Sequence, residues 1–335
     1  MTASVLISIY NEPVEEILES IQSILNQSFS EYELIIVHDN PRSNTKVNLL
    51  EKLRKLDERI NIIENDNNIG LALSMNKAFE ASTGEYLIRM DADDICEPYR
   101  FEKEIAVLKS GKCDLVFTNY RYIDEAGTLL FNSKAALESV YDPNEMIKKI
   151  YFDGIIHHPT VVMTRDIFLK AGGYRNFPCA QDQDLWIRML ECGCRFFFLN
   201  ECLLRYRIRS NSITGSRKLQ QYLTNTYIIK LACERLKKGY DCYSLADYNE
   251  YIENRITKRE GERFKVACNW LQLAAEAPYM HKRIILRFKA FLLSKSLRER
   301  YIQKKRFGPW ILEKFSVTGE KESGTLSSDL HKEVS

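Results

Sequence analysis

The sequence lacks the cysteine patterns that mark zinc sites and disulfide-bonded domains. Its nine cysteines are an odd number and include no CxxC pair, and the nearest two, Cys192 and Cys194, do not have a zinc-binding spacing. We interpret the cysteines as small buried side chains of a protein that stays in a reducing compartment.

Long apolar runs are also absent. The runs at 284–286 and 291–293 are broken by Arg287 and Lys289 well before the roughly 20 apolar residues that a membrane-spanning helix needs. Residues 1–13 lack the basic n-region and the long apolar h-region of a secretory signal. We therefore expect a cytoplasmic protein that does not cross a membrane.

Charge of one sign is not in excess, because 48 Lys and Arg residues face 46 Asp and Glu residues and the formal net charge is +2. No global electric field selects nucleic acid, so we expect no nucleic-acid partner. The chain has 335 residues, of which 45% are hydrophobic and 28% charged, and this is enough for one large α/β domain with an appended part.

Strand and helix patterns alternate over the first 118 residues. Residues 5–9 form a short apolar run typical of a strand buried on both faces, and apolar residues recur every three or four positions over 14–25, which predicts a helix. Further strands, each separated from the next by a helix, are predicted at 34–37, 60–63, 86–90 and 115–118. Such alternation predicts an α/β fold in which a mostly parallel central sheet has helices on both faces and binds ligands at the carboxyl ends of its strands.

A cluster of acidic residues follows the predicted strand at 86–90. Asp91, Asp93 and Asp94 lie so close in the chain that their carboxylates repel one another unless a cation or hydrogen-bond donors compensate. Oxygen ligands select hard ions such as Mg²⁺ or Mn²⁺, which complete their shell with water and substrate phosphates. The alternative is a solvated acidic turn that caps the next helix.

A second acidic pair, Asp182 and Asp184, stands at the predicted start of a helix near residue 180. Acidic side chains are favoured in a first helical turn by capping and by the helix dipole. This motif alone therefore does not separate a catalytic carboxylate from a helix cap.

Taken in order, the motifs between about residues 3 and 215 resemble those of the inverting family 2 glycosyltransferases with the GT-A fold. The match consists of a first strand ending in Ile9-Tyr10-Asn11-Glu12, then Asp39, Asn68-x-Gly70, Asp91-x-Asp93, His158-Pro159 and Gln181-Asp182-x-Asp184-Leu185-Trp186. Each motif is weak alone, whereas their shared order is specific.

On the donor side, the resemblance implies a nucleotide-sugar site formed by Ser8, Tyr10, Glu12, Asp39, Asn68, Gly70 and Asp91. In the family's pattern the first three line the nucleoside pocket, Asp39 binds the base, and the turn ending at Gly70 precedes the helix that closes over the nucleotide. Asp91 contacts the ribose or a metal-bound water. Asp93 is implied as the ligand of the Mn²⁺ or Mg²⁺ cofactor that bridges the two phosphates.

On the acceptor side, the resemblance implies that Asp182 is the catalytic base and leaves Asp184 as the helix-cap alternative. His158 matches a position where the family often carries a histidine near the sugars, although a lone histidine is as often structural. Arg205 and Arg207 belong to a basic segment that could clamp the pyrophosphate or an acceptor phosphate, with a solvated strand edge as the alternative.

This chain departs from the family's pattern at two places. The family often has two acidic residues and Gly-Ser after the second strand, whereas residues 38–43 read His-Asp-Asn-Pro-Arg-Ser, so the geometry of this loop is open. Gln181 stands in place of the Glu that often precedes the catalytic Asp.

We predict a catalytic domain over 1–218, with a nucleotide-binding half at 1–118 and an acceptor half at 119–218. A helical extension is predicted over 219–315, and a disordered tail over 316–335. Between Lys282 and Arg306, ten basic residues and one acidic residue are interleaved with apolar ones. A basic amphipathic segment of this kind, 282–306, can bind an anionic membrane surface, with packing onto the catalytic domain as the alternative.

We therefore predict an inverting hexosyl- or N-acetylhexosaminyltransferase that moves a sugar from a nucleotide-sugar, by family frequency a UDP-sugar, to a hydroxyl of a lipid-linked glycan. It would act on the inner face of the plasma membrane, in the assembly of a surface polysaccharide such as O-antigen or capsule. Two alternatives stay open. A nucleotidyltransferase should carry a Gly-rich phosphate loop near its N-terminus, which this chain lacks, and a nucleotide-binding membrane scaffold would have lost catalysis.

Overall fold

The computed structural model describes residues 2–41, 47–132, 143–208 and 218–319. The chain divides into two compact units, of which the first is formed by residues 1–210 and the second begins at residue 211. The boundary predicted from the sequence lies later, after residue 218, at the start of the first helix of the second unit.

A single sheet organises the first unit. Its strands are β1 (Ala3–Ile9), β2 (Tyr32–His38), β3 (Ile60–Glu64), β4 (Tyr86–Arg89), β5 (Ile95–Cys96), β6 (Leu115–Ile123), β7 (Leu129–Asn132), β8 (Val162–Thr164) and β9 (Phe196–Arg207). The strand order is β3-β2-β1-β4-β8-β6-β9-β5, and β7 pairs with β6. The longest pairings, β1 with β2 and β6 with β9, are parallel, whereas the short strands β5, β7 and β8 pair antiparallel. The predicted mostly parallel α/β fold is confirmed.

Helices connect these strands, as the alternation predicts. They are α1 (Val14–Leu25), α2 (Val47–Leu56), α3 (Leu71–Glu80), α4 (Arg100–Lys109), α5 (Pro143–Phe152), α6 (Arg165–Lys170) and α7 (Gln181–Glu191). In α1, Ile17, Ile21 and Ile24 are buried, so the three- and four-residue spacing seen in the sequence is the face that packs on the sheet. Strand β1 is buried along almost its whole length, which explains its continuous apolar run.

Strand β9 extends beyond its apolar run. The apolar run ends at Leu199, where the polar pair Asn200 and Glu201 interrupts it, but the strand continues to Arg207. Its pairing with β6 shifts register next to Asn119, which accommodates the interruption. The basic segment that contains Arg205 and Arg207 therefore belongs to the sheet.

The second unit is helical. It contains α8 (Lys218–Lys238), α9 (Leu245–Glu253), α10 (Lys258–Glu276), α11 (Met280–Leu293) and α12 (Lys295–Gly319). Phe264, Ala267, Ala290 and Leu297 form a small buried cluster. The predicted helical extension is present, and α12 runs into the segment predicted to be disordered, of which 320–335 lie outside the described residues. Throughout the ranges that the structure describes, no helix combines the length and the apolar composition needed to cross a membrane.

Candidate active site

The carboxyl ends of β1, β2 and β4 meet at one edge of the sheet, as expected for adjacent parallel strands. The backbone N–H of Asp39 donates to the carbonyl of Ile9 at 2.8 Å, and that of Met90 donates to the carbonyl of Leu6 at 3.2 Å. The polar residues that follow the three strands are thus brought to the same edge.

Asp39 is buried at the end of β2 and holds the loop that precedes α3. Its carboxylate accepts hydrogen bonds from the side chain of Asn65 at 2.8 Å and from the backbone N–H groups of Ile69 at 2.9 Å and Gly70 at 2.8 Å. Gly70 has a φ of 84°, a conformation that favours glycine. Asn68, on the same turn, is exposed. These hydrogen bonds fix the loop, and the contact of Asp39 with a base stays a prediction.

The residues that follow β1 lie beside the loop that follows β2, at the same edge of the sheet. The backbone N–H of Tyr10 donates to the carboxylate of Glu12 at 2.7 Å, and the Tyr10 side chain is half exposed. Asn40 donates to the side chain of Asn11 at 2.7 Å and to the carbonyl of Tyr10 at 3.3 Å, which ties the loops after β1 and β2 together. Ser8 lies within β1, opposite Val37 of β2. The structure therefore groups the predicted nucleoside-pocket residues, and their contacts with a nucleoside stay predictions.

The acidic residues after β4 lie beside a buried arginine. Asp91 forms an ion pair with Arg89 at 2.5 Å, and Arg89 is only 3% exposed. The Nε and Nη1 atoms of Arg89 have no hydrogen-bond partner. Asp94 is fully buried, accepts one hydrogen bond from the backbone N–H of Arg207 at 2.9 Å, and has a second carboxylate oxygen without a partner. Burial raises the pKa of Asp94 well above its usual range, and the charges of Asp91 and Asp93 add to this effect.

Over the described part of the chain, no three His, Cys, Asp or Glu side chains are arranged as a metal cage. The acidic cluster nevertheless fits Mg²⁺ or Mn²⁺, because these ions use one or two protein carboxylates together with water and substrate phosphates. The charges of Asp91 and Asp93 help to raise the pKa of Asp94, which shows that the negative charges of this loop repel one another, and Asp91 and Asp93 are partly exposed. Asp93 is therefore a fitting ligand, and its assignment stays a prediction.

The two arginines of β9 contact protein groups. Arg207 is buried, and its guanidinium donates to the carbonyl of Asp93 at 2.9 Å, to the carboxylate of Glu19 at 2.6 Å, and to the carbonyls of Asp124 and Glu125 at 3.1 and 2.9 Å. It thereby fixes the acidic loop to α1 and to the turn after β6.

Arg205 pairs with Glu97 at 2.9 Å, and Arg121 donates to the same carboxylate at 3.0 Å. The structure thus gives Arg205 and Arg207 positioning contacts. Their predicted phosphate contacts stay predictions, and for Arg207 such a contact competes with an existing set of four protein acceptors.

Helix α7 brings Asp182 to the site. The residue before the helix, Ala180, has a φ of 56°, an uncommon conformation for a residue with a Cβ that costs of order 1–3 kcal/mol and often marks functional sites. Burial raises the pKa of Asp182; the backbone N–H of Gln183 and the positive charge of Arg89 oppose the rise, and the charge of Asp91 adds to it. Asp182 therefore senses the same charges as the donor-side cluster.

Asp184, two residues further along the same turn, has a different role. Its fully buried carboxylate accepts hydrogen bonds from Arg175 at 2.9 Å and from Arg188 at 2.8 Å. Two arginines occupy it, so Asp182 is the carboxylate of this turn that is free of an ion pair with an arginine. Asp184 is therefore held by structural contacts, and the role of Asp182 as the base stays a prediction.

His158 lies in the interior. Its Nε2 shares a hydrogen bond with the hydroxyl of Tyr174 at 2.7 Å, and its ring packs edge-on against Trp186. Burial lowers the pKa of His158 well below its ordinary value, and the positive charge of Arg89 lowers it further, so the ring is neutral. These contacts are those of a packing residue, and the predicted contact with a sugar stays a prediction.

Sequence reasoning missed two residues of this site, Arg89 and His157. The ring of His157 stacks on Tyr120 at 4.3 Å between centroids and meets the edge of Tyr206 at 4.3 Å. Its buried Nε2 has no hydrogen-bond partner, and burial lowers its pKa to about 4. The signal for Arg89 was available, because an arginine inside the apolar run of β4 requires a specific partner. No local pattern marks His157.

Comparison with known proteins gives a consistent result. The family model described as glycosyl transferase family 2 matches residues 4–171. An O-antigen biosynthesis glycosyltransferase of Escherichia coli, WbnJ, is 34% identical over 65% of this chain and 83% of its own length.

Solved structures share the fold. TarS 1-349 of S. aureus in complex with UDP-GlcNAc superposes with a TM-score of 0.58 at 15% identity and covers 97% of this chain and 93% of its own. The mannosyltransferase PcManGT from Pyrobaculum calidifontis, in complex with GDP-Man and Mn²⁺, has a TM-score of 0.57 at 15% identity and covers 96% and 88%. By its matched residues and its GT-A fold, this chain belongs to glycosyltransferase family 2.

Proposed function

We propose that this glycosyltransferase moves a sugar from a UDP-sugar to a hydroxyl of a lipid-linked glycan, with inversion at the anomeric carbon, in surface polysaccharide assembly. The proposal rests on one observation. The charges of Arg89 and Asp91 act on the pKa of Asp182, whereas the carboxylate of the competing Asp184 forms ion pairs with two arginines. These contacts support Asp182 as the general base, because its carboxylate has no ion pair with an arginine and interacts with the charges of the donor-side cluster.

The donor side supports a nucleotide sugar. Asp39 holds the loop that ends at Gly70, and a hydrogen bond between Asn40 and Asn11 joins the loops after β1 and β2. A divalent cation bound at Asp93 would neutralise the charge of the diphosphate leaving group. Arg207 holds the acidic loop in place through the carbonyl of Asp93. The UDP-GlcNAc bound by TarS and the GDP-Man bound by PcManGT support this donor class.

On the acceptor side, Asp182 would remove the proton of the attacking hydroxyl. Burial raises the pKa of Asp182, which makes its ionised form a stronger base than an exposed aspartate. A single in-line displacement with this base inverts the anomeric carbon, so an α-linked donor gives a β-linked product.

Helix α11 supports a peripheral position on the inner face of the plasma membrane. Met280, Ile284, Phe288 and Leu292 recur at every fourth position and are 71%, 60%, 60% and 56% exposed. Side chains four apart share one helix face, and Lys282, Arg283, Arg287 and Lys289 lie on the same helix. An apolar stripe with basic neighbours is suited to the surface of an anionic membrane, where a lipid-linked acceptor would be found.

The test is a panel of nucleotide sugars, assayed for turnover with and without Mn²⁺. We expect one UDP-sugar to be consumed in a metal-dependent reaction, and Asp182→Asn to slow transfer by about 10²–10⁴-fold while nucleotide binding is kept. Asp166→Asn, an exposed aspartate of α6, is the matched control and should retain the wild-type rate. Transfer by Asp182→Asn at the wild-type rate would contradict the assignment, and a wild type that consumes no donor would favour the scaffold.

A further inference from the structure

The second unit contains a cavity that the proposed sugar transfer does not use. It has a volume of about 470 Å³ and lies among α8, α9 and α12. Of the ionisable residues in its wall, five are basic and two are acidic, Glu234 and Glu299. The basic residues are Lys230, Lys237, Lys238, Arg255 and Arg306. The cavity is therefore positively charged, although the whole chain is nearly neutral.

Aromatic rings, rather than carboxylates, hold these cations. The Nζ of Lys237 lies 5.4 Å from the ring centroids of both Phe307 and Trp310, and the guanidinium of Arg306 lies 5.5 Å from that of Phe307. Lys230 lies 5.7 Å from the ring of Tyr227. A cation over an aromatic face is positioned without being neutralised.

Ion pairs neutralise little of this charge. Among the described residues, the five basic side chains form one ion pair, between Arg255 and Glu299 at 3.7 Å. The ring of Tyr251 lies 3.8 Å from the guanidinium of Arg255 and holds it at the cavity wall. Most of the positive charge is thus available to an anion.

The wall also carries unused hydrogen-bonding groups. Gln303 is 9% exposed, and its amide nitrogen donates to the carbonyl of Thr226 at 2.9 Å. Its Oε1 is buried without a hydrogen-bond partner, and the Nε of Arg255 faces Glu299 at 3.7 Å without a hydrogen bond. A buried polar atom without a hydrogen bond costs free energy, so both atoms would gain from a polar ligand that brings a donor and an acceptor.

The wall also contains apolar side chains, which favour an amphipathic ligand over a free anion. Ile302 lines the cavity and is 55% exposed, and the ring of Phe307 stands beside the basic groups. A second cavity of about 420 Å³ shares Lys230, Glu234, Tyr251 and Arg255 with the first. Asp247 and Glu250 make its wall acidic, so the anion site is assigned to the first cavity alone, which we call the groove. A groove of this size accepts a headgroup with the start of an apolar chain.

We propose that this groove binds the terminal phosphate or diphosphate headgroup of a lipid. Lys230, Lys237 and Arg306 would contact the phosphate oxygens, and Ile302 and Phe307 the first part of the apolar chain. Guanidinium and ammonium groups together match a multiply charged phosphate better than a singly charged phosphodiester. The inference rests on the proposed membrane association, and it adds a specific headgroup site to the surface contact of α11.

The experiment uses the full-length protein and three kinds of vesicle: phosphatidylcholine alone, phosphatidylcholine with phosphatidylglycerol, and phosphatidylcholine with a polyprenyl phosphate at matched surface charge. We expect wild type to bind the third kind most tightly. The double variant Lys230→Glu/Lys237→Glu should lose at least about tenfold of that affinity, since each basic residue near an anionic surface contributes about 1 kcal/mol. The control, Lys258→Glu/Lys265→Glu, makes the same change of charge on α10, outside the groove.

Three results would overturn the proposal. Equal losses in the groove pair and the control pair would show that only the total charge matters. Equal wild-type binding to the polyprenyl phosphate and phosphatidylglycerol vesicles would remove the headgroup specificity. Binding of soluble pyrophosphate as tight as that of the lipid phosphate would identify a free phosphate as the ligand.

Folding and catalysis are measured in parallel. Lys230 and Lys237 are exposed, so thermal unfolding and donor turnover should stay at wild-type values in the groove pair. The pair Lys230→Gln/Lys237→Gln replaces it if charge reversal disturbs folding. A wild type that binds the lipid phosphate without consuming any donor would refute the proposed transferase and leave the groove assignment standing.

Discussion

The two units of the chain treat charged and apolar side chains in opposite ways. In the first unit, Arg100 and Glu104 form a fully buried ion pair at 2.9 Å, and Asp184 is buried between two arginines. In the second unit, the apolar stripe of α11 is exposed, and most cations of the α8–α9–α12 groove have no carboxylate partner. Burying a charge costs free energy, and leaving apolar surface exposed loses the stabilisation that its burial would give. Each arrangement therefore indicates a use. The contrast agrees with the two proposals, which locate sugar transfer in the first unit and membrane docking in the second.

The largest effect is expected from the buried ion pair of the first unit. Arg100→Met leaves Glu104 buried without its partner, which should lower the free energy of unfolding by about 3–5 kcal/mol. Burial raises the pKa of Glu104 to about 7 even with Arg100 beside it, so desolvation is already costly there. Denaturant unfolding measures the loss.

Arg54→Met is the control for this prediction, because Arg54 pairs with Glu64 on the surface at 2.6 Å. An exposed pair of this kind contributes about 0–1 kcal/mol. Losses of similar size in the two variants would remove the distinction between buried and exposed charge on which the comparison rests.

The next effect concerns the acidic cluster. Asp93→Ala should weaken the affinity for Mn²⁺ in the presence of UDP by at least about 100-fold. Mutating a residue that only hydrogen-bonds to a metal ligand already costs up to about 100-fold in affinity, and removing the ligand itself costs no less. Titration calorimetry with and without the metal measures it. Asp66→Ala, an exposed aspartate after β3, should bind the metal like wild type. Unchanged metal affinity in Asp93→Ala would refute the ligand assignment.

A smaller effect tests the second unit. Phe288→Ser removes a side chain that would lie against the membrane and should weaken binding to anionic vesicles by about tenfold, since burying such a side chain contributes about 1.5–3 kcal/mol. Leu169→Ser, at a 57% exposed leucine of the first unit, is the matched control. Binding is measured by flotation with the vesicles. If Phe288→Ser floats with anionic vesicles as well as wild type does, the docking surface lies elsewhere.

The smallest effect sharpens the role of Arg89. A general base must be ionised, so transfer falls as the pH drops through the raised pKa of Asp182. Arg89→Gln removes a positive charge that lowers this pKa, so the acidic limb of the kcat/KM profile should move to higher pH. Arg89→Lys keeps the charge and should leave the limb in place. An unmoved limb in Arg89→Gln would mean that Arg89 does not act on Asp182.

Much of the fold could be predicted from the sequence because its signals are local. Apolar spacing places α1 within the observed bounds, and the run at 86–90 places β4 immediately before the acidic cluster. The short antiparallel strands β5 and β8 were not predicted, because two or three residues are too few to show the alternating hydrophobic pattern of a strand.

Side-chain partners were decided by the tertiary structure. The sequence by itself determined that carboxylates stand at the start of α7, but Asp182 and Asp184 are equivalent in their local pattern. Only the tertiary structure brings Arg175, which precedes the helix, and Arg188 to the carboxylate of Asp184. Asp182 is left without such an ion pair.

The same limit applies to the remaining residues. The sequence determined that 282–306 is basic and amphipathic, whereas the structure decided which apolar side chains of α11 stay exposed and where α8, α9 and α12 enclose a groove. The physical reason is one of range: backbone hydrogen bonds and side-chain periodicity act over a few residues, while the partner of a charged side chain comes from wherever the fold brings the chain back.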